Sequence, residues 1–461
     1  MLGLFVCLIV GRDHASCDEA NDHSSPAEVS PYASPPPATP PVYRVRYEAK
    51  QVGGLAFPVQ YTVWVPPGVS ELRGVVVHQH GCGEGSCLSG QTGAFDWHWQ
   101  ALAAAHDCAL LSPSYEQPQD AACQLWCDPR NGSSDAFLQS LEDLGEASGH
   151  PELSQVPWAL WGHSGGGHWS GGMLMLHPDR VAAAWLRSGV PLLEANPERD
   201  DITPYEIDPR AASVPVMCNL GTLEGFSETE GRFAGVWPAV DNFVREMRKL
   251  DAPIGIAIDP VTSHECGDQR YLAIPFLDEC LRTRLPEQTG DPLRSLTRDA
   301  AWLASFPDAK EQPKPEAVPA DQYSGDHATA IYLPNEALAT RWQSYIENAE
   351  VPDETEPPAP NNVRLDGRTL RWDPAADLQS GISHFVILSG GKQIGRVPQE
   401  SKNRFGRRLF QGLLYSDTPH PLWMEPRFQI PPGYERATFR VVAVNTVGTP
   451  SRPSQPTPVV E

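Results

Sequence analysis

The sequence has no surplus of basic charge. Its 461 residues carry 35 lysines and arginines against 58 aspartates and glutamates, a formal net charge of -23. Binding nucleic acid needs a basic stripe to neutralise phosphates, so the balance excludes that class. An anionic membrane surface is a poor match for the same reason. Like-charge repulsion also disfavours acidic polymers, so neutral substrates fit better. A long apolar run is lacking too: the N-terminal one covers only residues 2–10. A bilayer span needs about 20 residues, so no transmembrane helix is expected. The run suits the core of a signal peptide, although the basic start of such a peptide is missing. Residues 1–17 are therefore expected to be a signal segment on a secreted or periplasmic protein. Ala15-Ser16-Cys17 also offers a cleavage site that would leave a lipid anchor on Cys17.

What is present is a soluble composition, 40% hydrophobic and 20% charged. The length is too great for one ordinary core, so two domains with linkers are expected. Of ten cysteines, eight lie beyond the leader, and export would favour disulfides among them. Cys82 and Cys87, and likewise Cys123 and Cys127, are near enough in the chain to bridge, but spacing leaves the connectivity open. His78, His80, Cys82 and Cys87 can be drawn as a zinc site. No second ligand pair supports it, and neither metal nor cofactor is expected.

Residues 18–42 are polar and proline-rich and read as an extended tether that buries no core. From Tyr43 the pattern changes. Residues 43–47 and 59–65 alternate as strands of an antiparallel pair, and 74–78 form a short buried strand before the turn His80-Gly81-Cys82-Gly83. Helical stretches are predicted near 94–106, 134–147, 240–250 and 271–281. Short apolar strands are predicted near 109–111, 158–161, 181–185, 214–220 and 254–258. This alternation predicts an α/β, doubly wound, mostly parallel sheet over residues 43–350. Residues 285–353 are less regular, with one helix at 335–348. A linker follows at 351–360, and short alternating runs over 361–461 read as a small all-β sandwich.

The chemistry centres on Gly162-His163-Ser164-Gly165-Gly166, a Gly-x-Ser-x-Gly placed after a strand and before a helical segment. That context puts a serine on a strained strand-to-helix turn, beside the N–H groups and positive dipole of a helix start. A serine hydroxyl is a weak nucleophile and needs a base. On this turn the partners follow in the order serine, acid, histidine. His264 comes after the last buried strand, where a returning loop can place an imidazole over the strand tips. Glu224 is the first carboxylate after the strand at 214–220, with Glu228, Glu230 and Asp259 as alternatives for the orienting acid. The backbone N–H groups of Gly165 and Cys82 are the expected oxyanion-hole donors. Trp97, Trp99, Trp126 and Trp169 lie near the expected mouth, and packed core is favoured over a substrate platform.

Residues 56–285 resemble the α/β-hydrolase superfamily. The His80-Gly81-Cys82-Gly83 turn is similar to that of the polyhydroxybutyrate depolymerase, feruloyl esterase and acetylxylan esterase group. The resemblance implies ester hydrolysis through an acyl-enzyme, with Ser164, Glu224 and His264 at the triad positions and glutamate in place of the usual aspartate. Residues 357–461 resemble a fibronectin type III-like domain in Pro357 to Val363, Trp372 and 434–450. That likeness implies a spacer, or attachment to polysaccharide or the cell surface, and a chain cut after about residue 355 would then still hydrolyse small esters. Two other readings stay open. A peptidase of the prolyl-oligopeptidase kind uses the same machinery, though no propeller repeat precedes this domain. An inactive hydrolase domain serving as a binding protein would have no need of a strained serine turn.

Overall fold

The computed structural model describes residues 30, 32, 34–195, 202–308, 315–350, 352–400, 402, 408–421, 425–434 and 436–458. The signal segment expected at 1–17, with Cys17, lies outside the described residues.

Eight strands build one sheet: β1 (Val42–Tyr47), β2 (Val59–Trp64), β3 (Gly74–Gln79), β4 (Cys108–Tyr115), β5 (Trp158–His163), β6 (Val181–Arg187), β7 (Val216–Gly221) and β8 (Ile254–Asp259). Their order is β1-β2-β4-β3-β5-β6-β7-β8. The β1–β2 and β2–β4 pairs are antiparallel, and every pair from β4 to β8 is parallel. All residues of β3 to β8 are buried, because helices cover both faces of a parallel sheet and leave no wet side. The helices are α1 (Glu84–Ser89), α2 (Trp97–Ala105), α3 (Gln124–Cys127), α4 (Ser133–Ser148), α5 (Gly165–Leu176), α6 (Val236–Lys249), α7 (Arg270–Arg284) and α8 (Glu336–Asn348). The Asp96 carboxylate caps α2 by accepting from the N–H groups of His98 and Trp99, and Asn335 caps α8 through Leu338 N–H. The α/β arrangement is the one the alternation of strands and helices predicts.

The segment 285–353 differs from expectation. Besides α8 it holds a small sheet of β9 (Trp302–Ser305), β10 (Val318–Pro319) and β11 (Ala330–Leu333), in the order β10-β9-β11. Strands of two to four residues are too short to leave a readable period.

The C-terminal strands are β12 (Asn361–Asp366), β13 (Thr369–Asp373), β14 (His384–Ser389), β15 (Lys392–Val397), β16 (Arg427–Gln429) and β17 (Phe439–Val444). They form two antiparallel sheets, β12-β13-β16 and β15-β14-β17. Leu370 and Trp372 from one sheet and Phe385, Ile387 and Val441 from the other share a core.

This all-β unit is joined to the large sheet by more than a linker. Trp97 of α2 belongs to its core, with its ring 5.5 Å from that of Phe385. The long connection between β15 and β16 returns to the large domain at 408–421. Tyr32, within the stretch expected to bury nothing, is fully buried there, and its hydroxyl donates to the Thr418 carbonyl at 3.3 Å.

Candidate active site

β5 ends at His163 and α5 begins at Gly165, which leaves Ser164 alone on the turn with φ 55°. A non-glycine residue held there stores strain that the surroundings must impose. The imposition is visible in the flanking glycines. A Cβ on Gly162 would run into the Gly166 carbonyl, and one on Gly166 into the carbonyls of Gln79 and His80. Strand and helix backbones therefore approach closely and aim the Ser164 hydroxyl outward, while Ser164 N–H donates to the Arg187 carbonyl at 2.7 Å.

His264 brings its Nε2 to 2.9 Å from Ser164 Oγ and its Nδ1 to 2.6 Å from Glu224 Oε1. Glu224 sits on the turn after β7 and is fully buried. Its other oxygen accepts from the Ser188 hydroxyl at 2.7 Å and from Gly221 N–H at 2.6 Å. Burial pushes its carboxyl up, but His264, Arg187 and the Gly221 N–H outweigh burial and hold it below the usual carboxylate range. Of the alternative acids, Glu228 and Glu230 are exposed. Asp259 is buried but engaged elsewhere, accepting from Tyr345 OH at 2.8 Å and from Val261 N–H at 2.9 Å.

Two residues hold the histidine loop from below. Arg187, buried at the end of β6, donates to Asn219 Oδ1 at 2.8 Å, Thr262 Oγ1 at 3.0 Å and the Ser263 and Glu265 carbonyls at 3.0 and 2.5 Å. His163 Nε2 donates to the His264 carbonyl at 2.8 Å. Burial, with the nearby His264 and Arg187, pushes the His163 imidazole down to about 3, so it stays neutral as that donor.

The two expected oxyanion residues are neighbours. A Cβ on Gly165 would strike the sulfur of Cys82, and the first N–H groups of α5 have no partner within the helix. Cys82 is bonded to Cys123, which corrects the local pairings Cys82/Cys87 and Cys123/Cys127. The loop at 117–134 folds back over the 80–83 turn and brings Cys123 to it. Cys87 on α1 instead points its thiol at Gly81 O and Gln117 Oε1, at 3.7 and 3.6 Å. The four residues drawn as a zinc site have other partners. His78 stacks on Trp161 at 4.0 Å and faces Asp417, and His80 Nδ1 bonds Gly81 O at 2.7 Å. Trp97, Trp99, Trp126 and Trp169 are all buried in packing.

The sequence reading misses Arg187, Ser188, Phe233 and Tyr415. Phe233 lies flat on the His264 imidazole, with ring centroids 3.9 Å apart and planes 3° apart. Tyr415, from the C-terminal unit, stands 5.9 Å from the same imidazole and 6.3 Å from Phe233. An arginine and a serine closing an apolar strand are a readable signal for Arg187 and Ser188. Nothing local marks Phe233 or Tyr415.

No protein-family model and no curated protein matches the chain. Solved structures do match. A thermostable esterase is 16% identical with a TM-score of 0.33, over 47% of this chain and 54% of its own, so the chain spans about half the length of that structure. A cold-adapted esterase from an Arctic intertidal metagenomic library is 15% identical with a TM-score of 0.34, over 54% of this chain and 96% of its own. A ferulic acid esterase is 12% identical with a TM-score of 0.35, over 52% of this chain and 98% of its own.

Proposed function

We propose that the protein is an exported serine hydrolase of the α/β-hydrolase type that cleaves neutral carboxylic esters through an acyl-enzyme. The observation that carries this reading is the continuous relay from Ser164 Oγ through His264 to the buried Glu224, at 2.9 and 2.6 Å. His264 Nε2 takes the Ser164 proton as Oγ bonds to the ester carbonyl carbon. The carbonyl oxygen becomes an oxyanion and meets the N–H groups of Gly165 and Cys82. Losing one such donor costs roughly two to three powers of ten in rate. The carbon–oxygen bond to the alcohol then breaks, and His264 returns its proton to the departing oxygen. Water enters and bonds to the acyl carbon as His264 takes its proton; the bond to Ser164 Oγ then breaks, His264 returns the proton to that oxygen, and the acid leaves. Glu224 keeps Nδ1 protonated and stabilises the imidazolium between these transfers.

The net charge of -23 favours neutral substrates. The Cys82–Cys123 disulfide fits an oxidising compartment, and among the described residues no helix is long and apolar enough to cross a membrane. The two C-terminal sheets are read as a fibronectin type III-like module, to which attachment to polysaccharide or the cell surface is also assigned. A panel of short acyl nitrophenyl esters, feruloyl esters and peptide anilides tests the reading. Turnover of esters without anilides is expected, whereas turnover of anilides alone would make the protein a peptidase.

A further inference from the structure

The segment at 408–421 belongs in sequence to the all-β unit but is built into the large domain. The Ser86 hydroxyl on α1 donates to the Tyr415 carbonyl at 3.3 Å, and Ser416 Oγ donates to Ser89 Oγ at 2.8 Å. Asp417 is buried against Arg270 of α7, accepting from its Nε at 3.0 Å. These anchors lie at Tyr415 and at the two residues after it, and they fix the backbone that carries its ring. Tyr415 is half-buried, as Ser164 is, and with Phe233 it makes a corner around the His264 imidazole.

That corner has a defined place in the reaction. His264 Nε2 hands its proton to the departing oxygen, so the alcohol portion of the ester must pass beside this imidazole. Phe233 covers one face of it, the His163 ring stands 5.1 Å away, and Tyr415 stands 5.9 Å away beside Phe233. We propose, resting on the ester-hydrolase reading, that Tyr415 is a specificity-determining residue for the alcohol side of the substrate and favours a flat, ring-bearing alcohol. The all-β unit is thereby a part of the substrate pocket.

The test compares benzyl and ethyl acetate, which share an acyl group and release alcohols of similar acidity, on the full chain and on Tyr415→Ala, Tyr415→Phe and Tyr415→Leu. A ring pair lost with the tyrosine lowers kcat/KM for the benzyl ester roughly three- to tenfold more than for the ethyl ester. Tyr415→Phe keeps the preference, and Tyr415→Leu loses it while retaining bulk at the loop. Deacylation of the acetyl-enzyme, measured by rapid mixing, stays unchanged in all of them, because the alcohol has left before that step. An equal loss on both esters, or a slower deacylation, overturns the proposal. A wild-type chain that turns over neither ester, and whose Ser164 resists a fluorophosphonate, overturns the hydrolase reading and the inference with it.

Discussion

Replacing Arg270 by methionine would strand two buried carboxylates. The guanidinium, 1% exposed, donates to Asp96 Oδ2 at 2.8 Å and Asp96 Oδ1 at 3.2 Å, and to Asp417 Oδ1 and the Asp417 carbonyl at 3.0 Å each. Both aspartates are 1% exposed. Breaking one buried pair by removing a partner costs about 3 to 5 kcal/mol, and here two acids lose the same partner, so Arg270→Met should cost at least that much. The sign of its pH dependence identifies the cause. In the wild type, burial pushes the Asp417 carboxyl up, but Arg270 outweighs burial and holds it below its ordinary value. Without the arginine the largest charge that opposes burial is gone, and although His78 still holds the Asp417 carboxyl down, that carboxyl rises in the fold. The penalty is then complete at neutral pH and shrinks as acid protonates Asp417 in the fold. Chemical unfolding of both proteins at pH 7.5 and pH 5, with matched m-values, reads the gap directly. Converting Asp96 and Asp417 to asparagine in the Arg270→Met chain should recover much of the loss. A gap below about 1 kcal/mol, or one that does not change with pH, would refute the electrostatic account and leave only lost packing.

Two further outcomes follow from the site. Glu224→Gln should lower kcat by about four powers of ten, since an amide no longer selects the imidazole tautomer that holds its proton on Nδ1, while Asp259→Asn should stay within about tenfold of wild type. Steady-state kinetics on a nitrophenyl ester separates the two. Acid should destabilise the fold well above the carboxylate range. Burial pushes His163 down to about 3 and His80 and His98 to about 4, so they stay neutral in the fold at pH 5.5. The unfolded chain protonates the same rings near pH 6.5, so each contributes about 1.4 kcal/mol of lost stability between pH 7.5 and pH 5.5, roughly 4 kcal/mol together. Flat stability across that window would mean these rings are hydrated or already protonated.

The parts legible in the sequence are those set by local pattern. Apolar runs bounded by turns mark β3 to β8, and a serine between glycines after such a run marks the elbow, because backbone approach there tolerates no side chain. Counting loops after strands points to Glu224 and His264, because a parallel sheet puts successive loops at one edge, and the two side chains lie 2.6 Å apart there. Long-range closure was not legible. The Cys82–Cys123 bond spans 41 positions, and spacing alone pointed to nearer partners. Tyr415 and Asp417 reach the site from the far end of the chain, so the C-terminal unit read as a detachable spacer. A cut after residue 355 would remove Asp417 from Arg270 and Tyr415 from His264, so such a chain is expected to lose stability. Arg187 closes an apolar strand, which can be read, but its partners are a hydroxyl and a carbonyl of a loop about 75 residues downstream and leave no local pattern.

Covalent labelling of the intact protein with a fluorophosphonate, followed by peptide mass spectrometry, tests the claim on which the rest depends. The adduct is expected on Ser164, and Ser164→Ala should abolish it while the unfolding midpoint stays near that of the wild type. A modified residue other than Ser164, or labelling that survives in the folded Ser164→Ala protein, would contradict the account.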